Sequence, residues 1–329
     1  MIKESKNIKK LSRFLILIVT SVILQSCATL FPNLNISDSP EKSRLITSDI
    51  QNFYEAFDLA IKDTANAKEI FNERYFSVGS NGLNDFYKSK IQSKEKFSNF
   101  VINFQDFYQS IRPNVSDITD LKKQIFINFN KFEALYPDAV FPDVYFLIGR
   151  FSSNGTISKR GLLIGTEILG RSENLNTENW NKDILRISME RNHIPVTVSH
   201  ELVHFNQNKM KNGNTLLWKS IREGSAEFIG ELISGETDAD YKAFDGKEIQ
   251  VWNDFESDMH KSIWRSWQQS SEKRPKNAGY WIGYIICKAY YEQVGNKDKA
   301  VYDILHIKDY NEFYKKSKVQ EYIKEHYKE

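Results

Sequence analysis

Apolar positions along the chain fall into three textures. Over residues 46–136 they recur at intervals of three and four, as in Phe53 and Phe57 and again in Phe97, Phe100, Phe104 and Tyr108. That is the period of one face of an α-helix. An aromatic stripe at this spacing predicts core packing rather than ligand contact. Ser80-Asn81-Gly82 and Arg112-Pro113-Asn114 have turn chemistry and are expected to punctuate the region. Over 141–169 the period changes. Val144-Tyr145-Phe146-Leu147-Ile148 is a β-type run, Ser152-Ser153-Asn154-Gly155 a turn, and Leu162-Leu163-Ile164-Gly165 the start of a further strand. After about Glu190 the helical period returns and holds to the end, with breaks at Asn212-Gly213, Gly235 and Lys273-Arg274-Pro275. Helices before and after a small sheet predict an α+β fold, mostly helical with a small mixed sheet. Nothing linker-like divides residues 44–329, so one domain is expected there.

The N-terminus reads as an address. Lys3, Lys6, Lys9, Lys10 and Arg13 precede a mostly apolar stretch over 11–24, too short for a comfortable transmembrane helix and flanked like a secretory signal. It ends in Leu24-Gln25-Ser26-Cys27, which resembles the bacterial lipobox, where the cysteine becomes residue one and carries acyl chains. The alternative is a plain signal peptide or an uncleaved anchor with an incidental cysteine. On the lipobox reading residues 1–26 are removed, Cys27 is lipidated, and 27–43, with Pro32, Asn33, Asn35, Ser37, Ser39 and Pro40, form a tether. Each buried methylene adds ~0.8 kcal/mol to membrane affinity, so multiple acyl chains hold firmly. Ala28, rather than Asp, follows the cysteine; by resemblance to enterobacterial lipoproteins this implies the outer membrane. Residues 1–26 carry five basic side chains and one acid, so the formal charge of +2 becomes −2 beyond them. A near-neutral chain gives no reason for a nucleic-acid partner. Cys287 is then the lone thiol, beside Ile285, Ile286 and Ala289, and is read as a buried hydrophobe without chemistry.

The chemistry rests on His200-Glu201-Leu202-Val203-His204. Asn192 and Pro195 offer a helix start, Val198, Leu202 and Phe205 an apolar stripe, and Asn212-Gly213 a stop. On such a helix the two histidines are four apart and share a face. They can occupy two corners of a tetrahedral Zn²⁺ site, with one zinc expected per chain. Glu201 is offset around the helix, so its carboxylate is directed at water rather than at the metal. The remaining histidines, His193, His260, His306 and His326, are scattered and read as surface or packing residues. The competing reading of 200–227 is an ordinary helical hairpin with two buried histidines.

A metzincin third ligand fails, because Gln207 and Met210 stand where Gly and His are needed. Glu223 stands nineteen residues after His204. That spacing resembles the gluzincin aminopeptidases, and Arg222-Glu223-Gly224-Ser225-Ala226 is similar to their ligand motif. The resemblance implies a zincin-like, gluzincin fold with Glu223 as third ligand. Glu227, one turn further on, is the candidate to accept the outer N–H of a ligating histidine; the reverse order of these two glutamates stays open. Gly224 leaves room for close helix packing. Tyr280, three before Gly283 in Gly279-Tyr280-Trp281-Ile282-Gly283-Tyr284, resembles the gluzincin tyrosine that hydrogen-bonds the oxyanion, ahead of Tyr284; an aromatic core face is the rival reading. Gly165-Thr166-Glu167 ends a strand in the place where zincins present an edge for an extended peptide, and Glu167 is given no role.

These segments, together with Thr47-Ser48-Asp49, Tyr136-Pro137-Asp138-Ala139 and Tyr145-Phe146-Leu147-Ile148-Gly149-Arg150, make the chain resemble a family of predicted zinc-dependent proteases that occur as bacterial lipoproteins. It is more distantly similar to the gliding-motility lipoprotein B family, for which no protease role is implied. The first resemblance implies a membrane-anchored zinc peptidase acting on a peptide or protein substrate, with Glu201 as general base and Tyr280 as oxyanion donor. The second leaves a catalytically silent envelope lipoprotein that acts in binding or assembly.

Overall fold

The computed structural model describes residues 34–207, 210 and 213–327. The signal segment, Cys27 and Asn212 lie outside the described residues. Two short strands, β1 (Ile36–Ser37) and β2 (Leu45–Ile46), lead into six helices: α1 (Ser48–Ala60), α2 (Ala67–Phe71), α3 (Asn81–Phe86), α4 (Lys94–Asn103), α5 (Gln105–Val115) and α6 (Thr119–Leu135). Strands β3 (Phe141–Leu147), β4 (Gly155–Ser158) and β5 (Gly161–Gly165) follow. The rest is helical: α7 (Lys182–Ile187), α8 (Ile194–Asn206), α9 (Leu216–Ser234), α10 (Glu248–Asp258), α11 (Trp264–Gln268), α12 (Ala278–Gln293), α13 (Lys297–Leu305), α14 (Tyr310–Ser317) and α15 (Val319–His326). The fold is α+β, mostly helical with a small mixed sheet. No helix among the described residues is long and apolar enough to cross a membrane.

The sheet runs β1-β3-β5-β4, with β2 also on β3. β3 is parallel to β2 and β5, while β4 pairs antiparallel with β5. Every residue of β3 is buried, as the continuous apolar run requires of a strand covered on both faces. Its one charge, Asp143, is matched by the Arg44 guanidinium, whose Nε lies 3.0 Å from Oδ1. β4 is the outer strand, half-buried along its length. The sequence pattern missed this strand, because Gly155, Thr156 and Ser158 dilute its apolar signal. The edge expected at residues 165–167 is therefore one strand away, since β5 lies between β3 and β4.

The aromatic stripe packs as core. Phe53, Phe57, Phe97 and Tyr108 are fully enclosed, with Phe53 touching Phe71, Tyr75 and Phe97 in stacked and edge-on geometries. Three expected boundaries move. Residues 36–43, placed in the tether, belong to the fold: β1 pairs with β3, and Ser43 Oγ donates to Pro142 O at 2.5 Å. Pro113 does not make a turn but sits in the last turn of α5, which ends two residues later. Ser80 caps α3, accepting from Leu83 N, so Gly82 lies inside that helix against the Tyr145 ring.

Candidate metal centre

Helix α8 opens at Ile194, with Pro195 in its first turn and no side-chain cap. Proline is suited there because it lacks an N–H that would have no partner. Asn192, expected as the start, instead lies in a preceding 3-10 turn. The helix closes at Asn206, before the expected break. It is enclosed on nearly every side, with His200, Glu201 and His204 buried among Val198, Leu202 and Val203. α9 starts at Thr215, whose hydroxyl accepts from Trp218 N at 3.3 Å, and ends on Gly235 at φ 93°. α9 lies beside α8, with Gly230 against the His200 backbone.

Two imidazoles and one carboxylate converge. Glu223 Oε2 is 3.1 Å from His204 Nε2 and 3.9 Å from His200 Nε2, and the three donor atoms lie within 4.8 Å of one another. Ligands ~2.0–2.1 Å from a tetrahedral zinc stand about 3.3 Å apart, so this donor set fits such an ion with small adjustment. Two nitrogens and one oxygen are also the zinc-type mixture, and three protein donors is the number a catalytic rather than a structural site uses.

The outer nitrogens are addressed as well. His200 Nδ1 faces Glu227 Oε1 at 3.3 Å, off the line of a straight hydrogen bond. Glu227 also accepts from Ala239 N at 3.2 Å. Glu223 thus lies on the side where the two Nε2 atoms converge, and Glu227 behind the His200 ring. His204 Nδ1 meets Gln207 Oε1 at 2.9 Å, and Gln207 Nε2 donates to Arg222 O and Ser225 Oγ. Sequence reading weighed Gln207 only as a failed metzincin position; the i to i+3 spacing from His204 was the available signal.

Burial and opposite charge set the protonation of these side chains. Burial alone raises Glu223, but the His204 and His200 imidazoles beside it bring it down to about 2. Burial disfavours a charged His200, yet the Glu227 carboxylate raises it to about 10. Glu201 is raised, by burial first, against the pull of His204 and His200.

Tyr280 lies beside His200, its ring centroid 6.5 Å from that of His200 and 5.3 Å from that of Trp264, and its hydroxyl is hydrogen-bonded to the Gln268 side chain. Burial, then the Glu223 and Glu227 carboxylates, push its hydroxyl far up, so it stays a proton-bearing donor. Tyr284 points elsewhere: its hydroxyl donates to Glu231 at 2.7 Å and lines a separate cavity of about 840 Å³. The buried Cys287 thiol is likewise pushed up by burial. A cleft of about 540 Å³ opens beside Tyr280, bordered by Asn154, Asp238 and Asn277. Gly224 sits against Gly283 of α12 rather than against α8, and this contact brings the Tyr280 helix to the Glu223 helix.

His193 is not an isolated surface residue. Its Nε2 meets Asp238 O at 3.1 Å and Asp238 Oδ1 at 3.3 Å. Asp238 was missed by sequence reading, since nothing in a Gly-Glu-Thr-Asp loop marks it as half-buried and bonded. Glu167 is buried too, its carboxylate accepting from Gly149 N at 2.8 Å and Phe151 N at 2.9 Å, which ties the loop leading to β4.

No curated protein and no solved structure matches the chain. One family model does, that of the gliding motility protein GldB, over residues 36–266. The match starts at β1 and takes in the whole sheet, α8 and α9, and with them His200, His204 and Glu223; it stops short of Tyr280. The more distant of the two resemblances is therefore the one with support, and the chain belongs to the family of gliding motility protein GldB.

Proposed function

We propose that this chain is a lipid-anchored zinc peptidase of the cell envelope serving gliding motility, held through Cys27 at the outer membrane. The observation that carries the peptidase part is the meeting of His200 Nε2, His204 Nε2 and Glu223 Oε2, with the raised carboxyl of Glu201 beside them. Zinc bound there supplies Lewis acidity, which polarises a carbonyl and acidifies water. The chain's own groups account for the rest. Glu201 takes the proton of the attacking water and returns it to the leaving amine nitrogen. The Tyr280 hydroxyl donates to the oxygen on which negative charge develops. Glu227 and Gln207 hold the two imidazoles in orientation through their outer nitrogens. The outer edge of β4 offers backbone groups to an extended peptide.

A second reading, a catalytically silent envelope lipoprotein, is the one the family match favours, because that family is named for motility and not for hydrolysis. In that reading the chain is a binding or assembly component whose metal centre is structural. Incubating the purified full chain with an internally quenched peptide library separates the two. The peptidase reading predicts cleavage by the native chain and a loss of at least about 100-fold in Glu201→Gln with zinc retained. Zinc bound with no cleavage by the native chain favours the assembly reading.

A further inference from the structure

We propose that Asp238 is a positioning residue that pins the edge strand β4 to the metal-bearing helix α8. Its carboxylate is shared among three elements. Oδ1 accepts from Thr197 Oγ1 at 2.5 Å, one turn before His200 on α8, and faces His193 Nε2 at 3.3 Å. Oδ2 accepts from Asn154 Nδ2 at 3.2 Å. The neighbouring Ala239 N donates to Glu227, the carboxylate behind His200. An ionised carboxylate offers about four acceptor sites, enough for this set, and bonds to a charged acceptor are the stronger kind.

The consequence falls on β4. Asn154 is the residue before that strand, and its carbonyl accepts from Gly165 N at 2.9 Å. The next residue, Gly155, lies against the Glu201 carboxylate. β4 pairs on one side with β5, so among the described residues its other side has no strand partner. Asp238 therefore fixes how far that free edge stands from His200 and Glu201, and so where the carbonyl of a paired peptide falls. The kinetic part of this inference rests on the peptidase reading; the structural part does not.

The test compares the full chain with Asp238→Ala, with Asn154→Ala, which removes the strand's tie along with a long contact to Met189 Sδ and serves if the first variant does not fold, and with the swap Asp238→Asn/Asn154→Asp. In the swap the hydrogen bond is restored with donor and acceptor exchanged. Amide hydrogen exchange at residues 155–158 is expected to speed up about tenfold in each single variant and to return toward the native rate in the swap, while β3 exchanges unchanged. Zinc content stays native. Against the quenched peptide library, KM rises about tenfold with kcat within about threefold. Native exchange at 155–158 in both single variants, or a fall in kcat at constant KM, overturns the proposal. A native chain that binds zinc but cleaves nothing defeats the peptidase reading instead and leaves the exchange result to decide this one.

Discussion

Gly155 lies so close to Glu201 that a Cβ built on it would stand 2.5 Å from Glu201 Oε1 and 2.8 Å from Cγ. The strand and the Glu201 side chain are thus set against each other with no room for a methyl group. Gly155→Ala must either push β4 outward or turn the Glu201 carboxylate away. The expected result is a fall in kcat/KM of at least about 100-fold with zinc content intact. Native activity in this variant would show that Glu201 needs no fixed place beside the strand.

The two helices that carry Glu223 and Tyr280 cross at a pair of glycines. A Cβ on Gly283 would fall 1.7 Å from Ser220 O, and one on Gly224 would fall 2.0 Å from the Gly283 carbonyl carbon. Both obstacles are backbone, so neither can swing aside. Gly283→Ala is expected to cost about 3 kcal/mol in a urea unfolding curve, at the upper end of overpacking effects, and to weaken zinc binding as Glu223 moves. Gly295→Ala, with nothing within 4 Å of the added carbon, serves as the control and should change little. Equal stability of the two variants would contradict the close crossing.

Glu167 should leave a mark on the pH profile of stability. Burial raises its carboxyl from 4.5 to about 7, against the lowering effect of the Gly149 and Phe151 N–H donors. The folded state then holds this proton more tightly than the unfolded chain. Its contribution is full below about 4.5 and is lost as the pH rises through about 7. Between pH 4.5 and 8 the native chain should lose on the order of 3 kcal/mol more stability than Glu167→Gln. Parallel profiles for the two would contradict it.

Two tyrosines one turn apart on α12 should behave differently. On the peptidase reading Tyr280→Phe removes the proposed oxyanion donor and is expected to lower kcat by about 10- to 100-fold with KM little changed. Tyr284→Phe loses the bond to Glu231 and should cost about 1 kcal/mol of stability without touching kcat. The opposite pattern would move the oxyanion role to Tyr284.

The helices and the two apolar strands were legible in the sequence because each has a strong hydrophobic period. The centre was legible to the extent that it lies on regular helices. His200 and His204 are joined by helical spacing, and Glu223 and Glu227 are one turn apart, so pattern predicts their faces. What pattern could not reach depends on the fold around the helices. β4 has almost no apolar alternation, and it is recognised only by its pairing with β5. Asp238 sits in a loop whose composition reads as solvent-exposed, yet tertiary contacts with Thr197 and Asn154 half-bury it. Gly224 was rightly read as a point of close packing, but its partner, Gly283, is distant in sequence and could not be named. Pro113 ended no helix early because it stands where α5 was about to stop.

Elemental analysis of the purified full chain, beside His200→Ala, Glu223→Gln and Glu201→Gln, tests the central claim most directly. A single three-ligand centre predicts about one zinc per native chain, retention in Glu201→Gln, and loss in the other two. No zinc in the native chain, or the same content in His200→Ala as in the native chain, would contradict it.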